Sequence, residues 1–404
     1  MKISVIGQGY VGLPLSIELA YKKNIVIGFD NDESKIVNLK AGIIEIPGIS
    51  RNAFNRLLRK KRYIPTFDPS LISISDVVVL AVPTPLDNTG NPDTTFLESA
   101  AKTVAMYAKE NSLIVNESTS YPGTLRNLIK PIFEKHSTNH FLFASAPERV
   151  DPANLKWNLK NTPRVISGLT SEATDRAVNL YKTFCDLVQK VSSPEVAEAA
   201  KIFENTFRMV NIALVNEFAM IADKVGFSAQ DAIAAASTKP FGFMPFYPSI
   251  GVGGHCIPVD PKYLSFLSKS VGANSDLIDL AHKINCEMPS ITAQKIKSEI
   301  GGDLSKKRIQ IVGISYKPDV PDTRESPALE LISELRALGA LVSWHDPIVK
   351  KLNGEKSLKL DPDIDLGLLV TPHRILDLAV WKQAGTRVID LSANGNNYGW
   401  PKLY

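Results

Sequence analysis

At 404 residues the chain exceeds what one hydrophobic core usually organises, about 250 to 300 residues, and suits two or three domains. Its 44% hydrophobic and 22% charged residues exclude a disordered chain, and no apolar run approaches the roughly 20 residues needed to span a bilayer. Lys plus Arg exceeds Asp plus Glu by only 46 to 42 and no basic patch interleaves with aromatics, so neither nucleic acid nor a membrane is an expected partner. A charge of +4 favours at most a small phosphorylated substrate.

Three cysteines, Cys185, Cys256 and Cys286, cannot all pair and show no CxxC spacing, so neither a disulfide framework nor a metal site is expected, and a reducing compartment follows. Met1 to Gly7 enters a strand pattern without a charged leader or cleavage site, which predicts a cytoplasmic protein.

In chain order, β-rich runs at 2–6, 25–30, 77–82, 112–117, 141–145 and 164–167 alternate with helical patterns, which predicts a parallel sheet wrapped by helices. The basic run Arg59, Lys60, Lys61 and Arg62 reads as a solvated helix end. Residues 193–224 carry apolar side chains at helical spacing with no Pro or Gly after Pro194, so one long helix is expected there. A second helical stretch after Gly226, a Gly/Pro-rich loop at 239–260 and further helices complete an all-α middle region. Strands resume at 308–316, 341–345, 366–371 and 386–391, with helices at 326–338 and 376–384 between them. The fold class is therefore α/β: two Rossmann-like domains, 1–192 and 301–404, joined by a long helix and an all-α middle domain, 193–300. Two mononucleotide-type folds invite two nucleotide ligands.

Gly7-Gln8-Gly9-Tyr10-Val11-Gly12 follows the first strand and opens a helix, the context in which a GxGxxG binds a dinucleotide. Gly7 permits the tight turn, Gly9 lets the backbone approach a pyrophosphate, and Gly12 lets helix and strand pack closely, while the helix N-terminus faces the phosphates. Asp30 ends the second strand, where a carboxylate accepts both ribose hydroxyls and repels a 2′-phosphate, so NAD is favoured over NADP; Lys35 nearby tempers that preference. Pro83-Thr84-Pro85 marks a sharp loop at the carboxyl edge of the next strand, where ligands of such sheets bind. Further on, Gly251 to Asp260 gathers flexible backbone around Cys256, His255 and a carboxylate, a loop able to hold an oxyanion or diphosphate while exposing a thiol.

These residues resemble the UDP-glucose/GDP-mannose (nucleotide-sugar) 6-dehydrogenases over nearly the whole chain. The matching motifs are Gly7 to Gly12, Pro83-Thr84-Pro85, Glu117-Ser118-Thr119 with Pro122-Gly123-Thr124, Pro147-Glu148-Arg149, Lys201 with Asn205, Gly253 to Asp260, and Tyr316-Lys317 leading to Asp322-Thr323-Arg324-Glu325-Ser326-Pro327. The resemblance implies a four-electron oxidation of a sugar C6 alcohol to a carboxylate with two NAD per turnover, Cys256 forming a thiohemiacetal and then a thioester that water hydrolyses. It assigns Lys201 and Asn205, four apart on one helix face, to the oxyanion and substrate positioning. Asp260 is assigned to ordering water with the lysine, Glu148 to proton handling in thioester hydrolysis, and Thr119 to holding water near the nicotinamide. Expected cofactor contacts are Gly7, Gly9, Tyr10, Val11, Gly12, Asp30, Lys35, Pro83, Thr84, Ser118, Thr119 and Arg324. Expected substrate contacts are Glu148, Arg149, Lys201, Asn205, Phe246, Tyr247, Gly253 and Lys317, with the UDP part on the C-terminal domain.

Some alternatives stay open. Phe246 and Tyr247 either stack on uracil or plug their loop against the core. His255 is either a base or a satisfied structural histidine, and the apolar face of the long helix serves either a homodimer, which the resemblance implies, or packing within the chain. His255 before the cysteine and Ile257-Pro258-Val259-Asp260-Pro261 after it resemble the branch acting on UDP-N-acetylhexosamines, although the usual Pro-Gly-Pro-Gly reads Pro248-Ser249-Ile250-Gly251 here. UDP-GlcNAc is the first choice, then UDP-ManNAc, then UDP-glucose. A two-electron β-hydroxyacid dehydrogenase and a non-enzymatic nucleotide sensor are the rivals.

Overall fold

A computed structural model of the chain describes every residue except 45, 47, 152–153 and 394–397. Its contacts divide into two compact units, Met1–Glu204 with Lys262–Gly272, and Asn205–Pro261 with Ala273–Tyr404.

The first unit holds eight strands: β1 (Lys2–Ile6), β2 (Ile25–Phe29), β3 (Tyr63–Thr66), β4 (Val77–Leu80), β5 (Leu113–Asn116), β6 (Leu142–Ser145), β7 (Arg164–Gly168) and β8 (Val188–Lys190). They lie in the order β3-β2-β1-β4-β5-β6-β7-β8. The chain winds outward from β1 in one direction and from β4 in the other, so a crevice opens beyond Ile6 and Leu80, which are registered side by side. Successive residues of these strands feed opposite faces. Val77, Val79, Leu113 and Val115 pack into one buried cluster with helix Gly12–Tyr21, while Val78, Leu80 and Ile114 pack into another with helix Thr95–Tyr107. Both faces being buried, the strands read as unbroken apolar runs.

The sheet is parallel, as expected, except at β7, which runs antiparallel to β6 with Ser145 opposite Ser167. The linking segment contains no helix among its described residues, so nothing carries the chain across the sheet as a parallel crossover requires. Two strands escape the sequence pattern. Pro65 interrupts β3, which is tolerated because β3 is an edge strand, and β8 is three residues long and largely exposed. The basic run does close a helix, Arg51–Arg59, as expected.

The long helix is one element, Pro194–Val225, running through residues 204 and 205 where the units divide. Helices Ala229–Ala236 and Asp276–Glu299 belong to the second unit, and 193–300 contains no strand. A second sheet follows, β9 (Arg308–Val312), β10 (Leu341–His345), β13 (Leu366–Leu369) and β14 (Val388–Asp390), parallel throughout in the order β10-β9-β13-β14. A short hairpin, β11 (Lys351–Leu352) with β12 (Glu355–Lys356), stands beside it. Trp381 is fully buried against this sheet, and a Cβ added at Gly367 would lie 2.8 Å from its ring, so the flat indole occupies room that a β13 side chain would otherwise fill.

Trp381→Ala should therefore cost about 3–5 kcal/mol in the second unit. Hydrogen exchange read by mass spectrometry should show peptides of β9, β13 and β14 opening early while those of β1 to β6 keep wild-type protection; unchanged protection in the second sheet would contradict the packing described.

Candidate active site

The turn after β1 is built for close backbone approach. Gly7 has φ +91° and its N–H donates to the carbonyl of Phe29 at 2.8 Å, and a Cβ on Gly12 would lie 1.8 Å from the Gly7 carbonyl oxygen. A Cβ on Gly9 would meet nothing within 4 Å, so its missing side chain leaves an open cradle at the start of the helix, as a bound pyrophosphate requires. Asp30 is buried beside it. One carboxylate oxygen accepts the N–H of Gln8 at 2.8 Å and the Lys35 ammonium at 2.8 Å, and the other accepts the N–H of Asp32. Lys35 thus meets the carboxylate itself. These residues fit a dinucleotide: turn, cradle and ribose acceptor lie at one sheet edge.

Across the crevice, the Ser118 hydroxyl bridges the N–H and carbonyl of Val82, both at 2.9 Å, tying the end of β5 to the Pro83-Thr84-Pro85 loop. Tyr263 donates its hydroxyl to the carbonyl of Thr84 at 3.0 Å. Thr119 is half-buried, as are Tyr10 and Val11, and Pro83 is exposed. Glu198, on the long helix, is buried and accepts the N–H groups of Gly123 and Leu125 at 2.7 and 3.0 Å, which anchors the Pro122-Gly123-Thr124 turn; sequence reading missed it.

Below the same edge lies a buried polar network around Glu148 and Glu117 whose other members, Arg164 and Tyr181, sequence reading missed. Glu148 accepts the N–H groups of Arg149 and Val150 on one oxygen and the Arg164 guanidinium, at 2.8 Å, on the other. Burial pushes its carboxyl up, but Arg164, the Val150 N–H and Lys201 together hold it below the usual range. Glu117 stands 3.6 Å from the same guanidinium and accepts the Tyr181 hydroxyl. Burial raises Glu117 to about 7, against the Arg164 charge and with the help of Glu148. No local pattern announces this arrangement, because its members come from four separate elements.

Arg149, expected on substrate, forks onto the Glu204 carboxylate, with Nε at 3.1 Å, and donates to the Pro163 carbonyl. Lys201 is half-buried on the long helix.

In the second unit, Asn205 is buried and donates to the Asp260 carboxylate at 2.5 Å. The carbonyl of Cys256 accepts the N–H of Asp260 at 2.8 Å, so the thiol-bearing loop leads into helix Asp260–Ser270. Cys256 is half-buried and in no disulfide. Of the other cysteines, Cys185 is buried, and burial pushes its thiol up to about 11; Cys286 is exposed on helix Asp276–Glu299. The glycine loop is shaped by the segment after β9. Gly254 has φ +84°, a Cβ on it would lie 2.7 Å from the Tyr316 ring, and its N–H donates to the Arg324 carbonyl at 3.1 Å. A Cβ on Gly253 would lie 2.7 Å from the Glu325 carbonyl oxygen.

Arg324 forks onto Asp322 and reaches His255 Nδ1 at 3.3 Å. His255 thus has a polar partner in its own unit, and Lys317 is half-buried on the same segment. Phe246 lies edge-on to Phe207 of the long helix, ring centroids 6.0 Å apart, and Tyr247 beside it is half-buried. Among the described residues no group of three His, Cys, Asp or Glu side chains is placed to hold a metal, and no helix is long and apolar enough to cross a membrane.

Three models of the UDP-glucose/GDP-mannose dehydrogenase family match in sequence: its NAD binding domain over residues 1–185, its central domain over 195–287 and its UDP binding domain over 310–388. The UDP-N-acetyl-D-glucosamine 6-dehydrogenase of Pseudomonas aeruginosa is 33% identical over 360 residues, 86% of this chain and 83% of that one. The UDP-N-acetyl-D-mannosamine dehydrogenase of Pyrococcus horikoshii is 33% identical over 395 residues, 95% of this chain and 92% of that one. A solved structure of UDP-D-ManNAc dehydrogenase from Pyrococcus horikoshii superposes with a TM-score of 0.87 at 32% identity, covering 99% of this chain and 97% of that one. The chain belongs to the UDP-glucose/GDP-mannose dehydrogenase family and is an NAD-dependent UDP-sugar 6-dehydrogenase.

Proposed function

We propose that this enzyme oxidises the C6 alcohol of a UDP-N-acetylhexosamine, UDP-GlcNAc before UDP-ManNAc, to the uronic acid through a thioester on Cys256. The observation that carries the cysteine chemistry is the loop of Gly251 to Asp260, where a half-buried thiol outside any disulfide precedes a carboxylate held by Asn205. UDP-ManNAc is kept as a second reading because relatives named for either sugar stand at the same 33% identity. His255 and the Ile257 to Pro261 run favour the acetylated sugars over UDP-glucose.

In balance, the alcohol, two NAD and one water give the carboxylate, two NADH and three protons. NAD, when bound, accepts a hydride in each oxidation. Gly7, Gly9, Tyr10, Val11 and Gly12 would hold its pyrophosphate and Asp30 with Lys35 its adenosine ribose, while Pro83, Thr84, Ser118 and Thr119 would line the crevice, with Arg324 assigned to the cofactor as well. The Cys256 thiolate adds to the aldehyde carbon, and loss of the second hydride leaves the thioester. Lys201 and Asn205 stabilise the oxyanion, Asp260 and Thr119 order water, and Glu148 takes up a proton as water attacks. Arg149, Phe246, Tyr247, Gly253 and Lys317 complete the substrate contacts. Residues 1–192 carry the cofactor, 193–300 the cysteine loop and 301–404 the UDP.

A homodimer fits the long helix. Phe207, Leu214, Ile221 and Val225 recur at spacings of seven, seven and four on one face, and Leu214, Ile221 and Val225 are 64%, 51% and 69% exposed. Three cysteines outside any disulfide fit a cytoplasmic setting.

With limiting sugar, the purified enzyme should form two NADH per UDP-GlcNAc, and Cys256→Ser should lose turnover while keeping its fold. One NADH per sugar, or wild-type turnover without the thiol, would sink the mechanism; turnover of UDP-glucose alone would sink the sugar assignment. Leu214→Asp with Ile221→Asp should shift the mass read by light scattering from dimer to monomer, and an unshifted dimer would place the interface elsewhere.

A further inference from the structure

The network around Arg164 is more elaborate than holding a loop requires. The Arg164 guanidinium, at the first residue of β7, is almost wholly buried between two carboxylates. Glu148 is the outer one, with its side chain 10% exposed, and Glu117, just past β5, is the inner one at 0%. Arg164 donates to Glu148 at 2.8 Å and to the carbonyls of Ala146 and Pro147, and its guanidinium lies 5.3 Å from the centre of the Tyr181 ring. Tyr181 ends helix Ser171–Tyr181 and gives its hydroxyl to Glu117. The other oxygen of Glu117 has no hydrogen-bond partner. Two buried carboxylates therefore share one cation. An ionised oxygen without a donor is costly in such surroundings, whereas a neutral carboxyl there is tolerated.

We propose that Arg164 is the positioning residue for Glu148 in thioester hydrolysis, with Glu117 and Tyr181 as the buried counterweight that sets how avidly Glu148 takes up a proton. This rests on the thioester reading above. Three donors orient Glu148, and they also make it a reluctant proton acceptor. Ionisation of Glu117 near pH 7 places a second negative charge behind Glu148, across the shared Arg164, and raises the proton affinity of Glu148. The groups facing this pair are Arg164 of β7, Tyr181 at the end of the following helix, Cys185 just beyond that helix, and Lys201 of the long helix. In the step itself, a water oxygen bonds the thioester carbon as its proton passes to Glu148. The carbon–sulfur bond breaks with its electron pair on the Cys256 sulfur, and Glu148 then releases the proton to solvent.

The test separates oxidation from hydrolysis by stopped-flow NADH bursts, with intact-protein mass spectrometry for the enzyme-bound acyl group. Arg164→Met leaves Glu148 buried without its cation. It should keep the NADH burst, accumulate thioester as Glu148→Gln does, and lose steady-state turnover on the order of 100-fold, with partial recovery in Arg164→Lys. If Arg164→Met slows burst and steady state equally, Arg164 is structural and the proposal falls. Absence of accumulated thioester in Glu148→Gln would instead overturn the underlying reading. Glu117→Gln conserves volume and mimics the neutral carboxyl, so it decides the matter even if Arg164→Met does not fold. Wild-type hydrolysis should rise with pH through about 7 while Glu117→Gln stays on the low-pH plateau. The same rise in both would overturn the counterweight.

Discussion

The carboxyl edge of the first sheet depends on one steric contact, the Gly12 backbone resting on the carbonyl of Gly7. Because no side chain intervenes, the helix starts directly beyond β1 and leaves the cradle at Gly9 open. The reversal of strand order between β1 and β4 then places the loops after β4 and β5 across from that turn, so Ser118, Thr119 and the Pro83 to Pro85 loop border a single crevice. Backbone hydrogen bonds and the buried Ser118 hydroxyl hold this edge in place.

Polar burial recurs wherever a motif needs holding in place. Glu198 caps the turn at Gly123, Asn205 meets Asp260, and Arg324 forks onto Asp322. Each pairing satisfies a group whose desolvation would otherwise destabilise the fold, and none is expected to add much net stability. What they contribute is a fixed direction for neighbouring atoms. Arg149 and Glu204 show the consequence: an arginine already forked onto a carboxylate must exchange that partner before it can bind any other anion.

The sequence made the two sheets, the long helix and the glycine turn legible, because each is written in local periodicity or in a residue type only one conformation demands. Apolar runs at β1, β4 and β5 and the absence of breakers after Pro194 suffice for that. The antiparallel β7 and the edge strand with Pro65 were not legible, since partner and direction are decided by distant chain segments. The same limit applies to the site. Glu148 and Arg149 stood out through their motif, yet the motif is silent on Arg164 and Tyr181, which enter from strands and helices far along the chain.

That asymmetry has a physical source. A motif records residues that share a stretch of backbone, whereas the protonation of a buried carboxylate is set by every charge within a few ångströms, whatever its place in sequence. Glu117 lies beside Ser118 and Thr119 and looks like one more motif letter. Only the convergence of β5, β7 and the helix ending at Tyr181 shows it sharing a cation with Glu148. Two carboxylates on one guanidinium cannot both ionise independently, so the proton affinity of the outer group is governed by the occupancy of the inner one. A buried carboxylate held solely by donors is oriented but weakly basic, and a second carboxylate on the same cation offsets part of that effect.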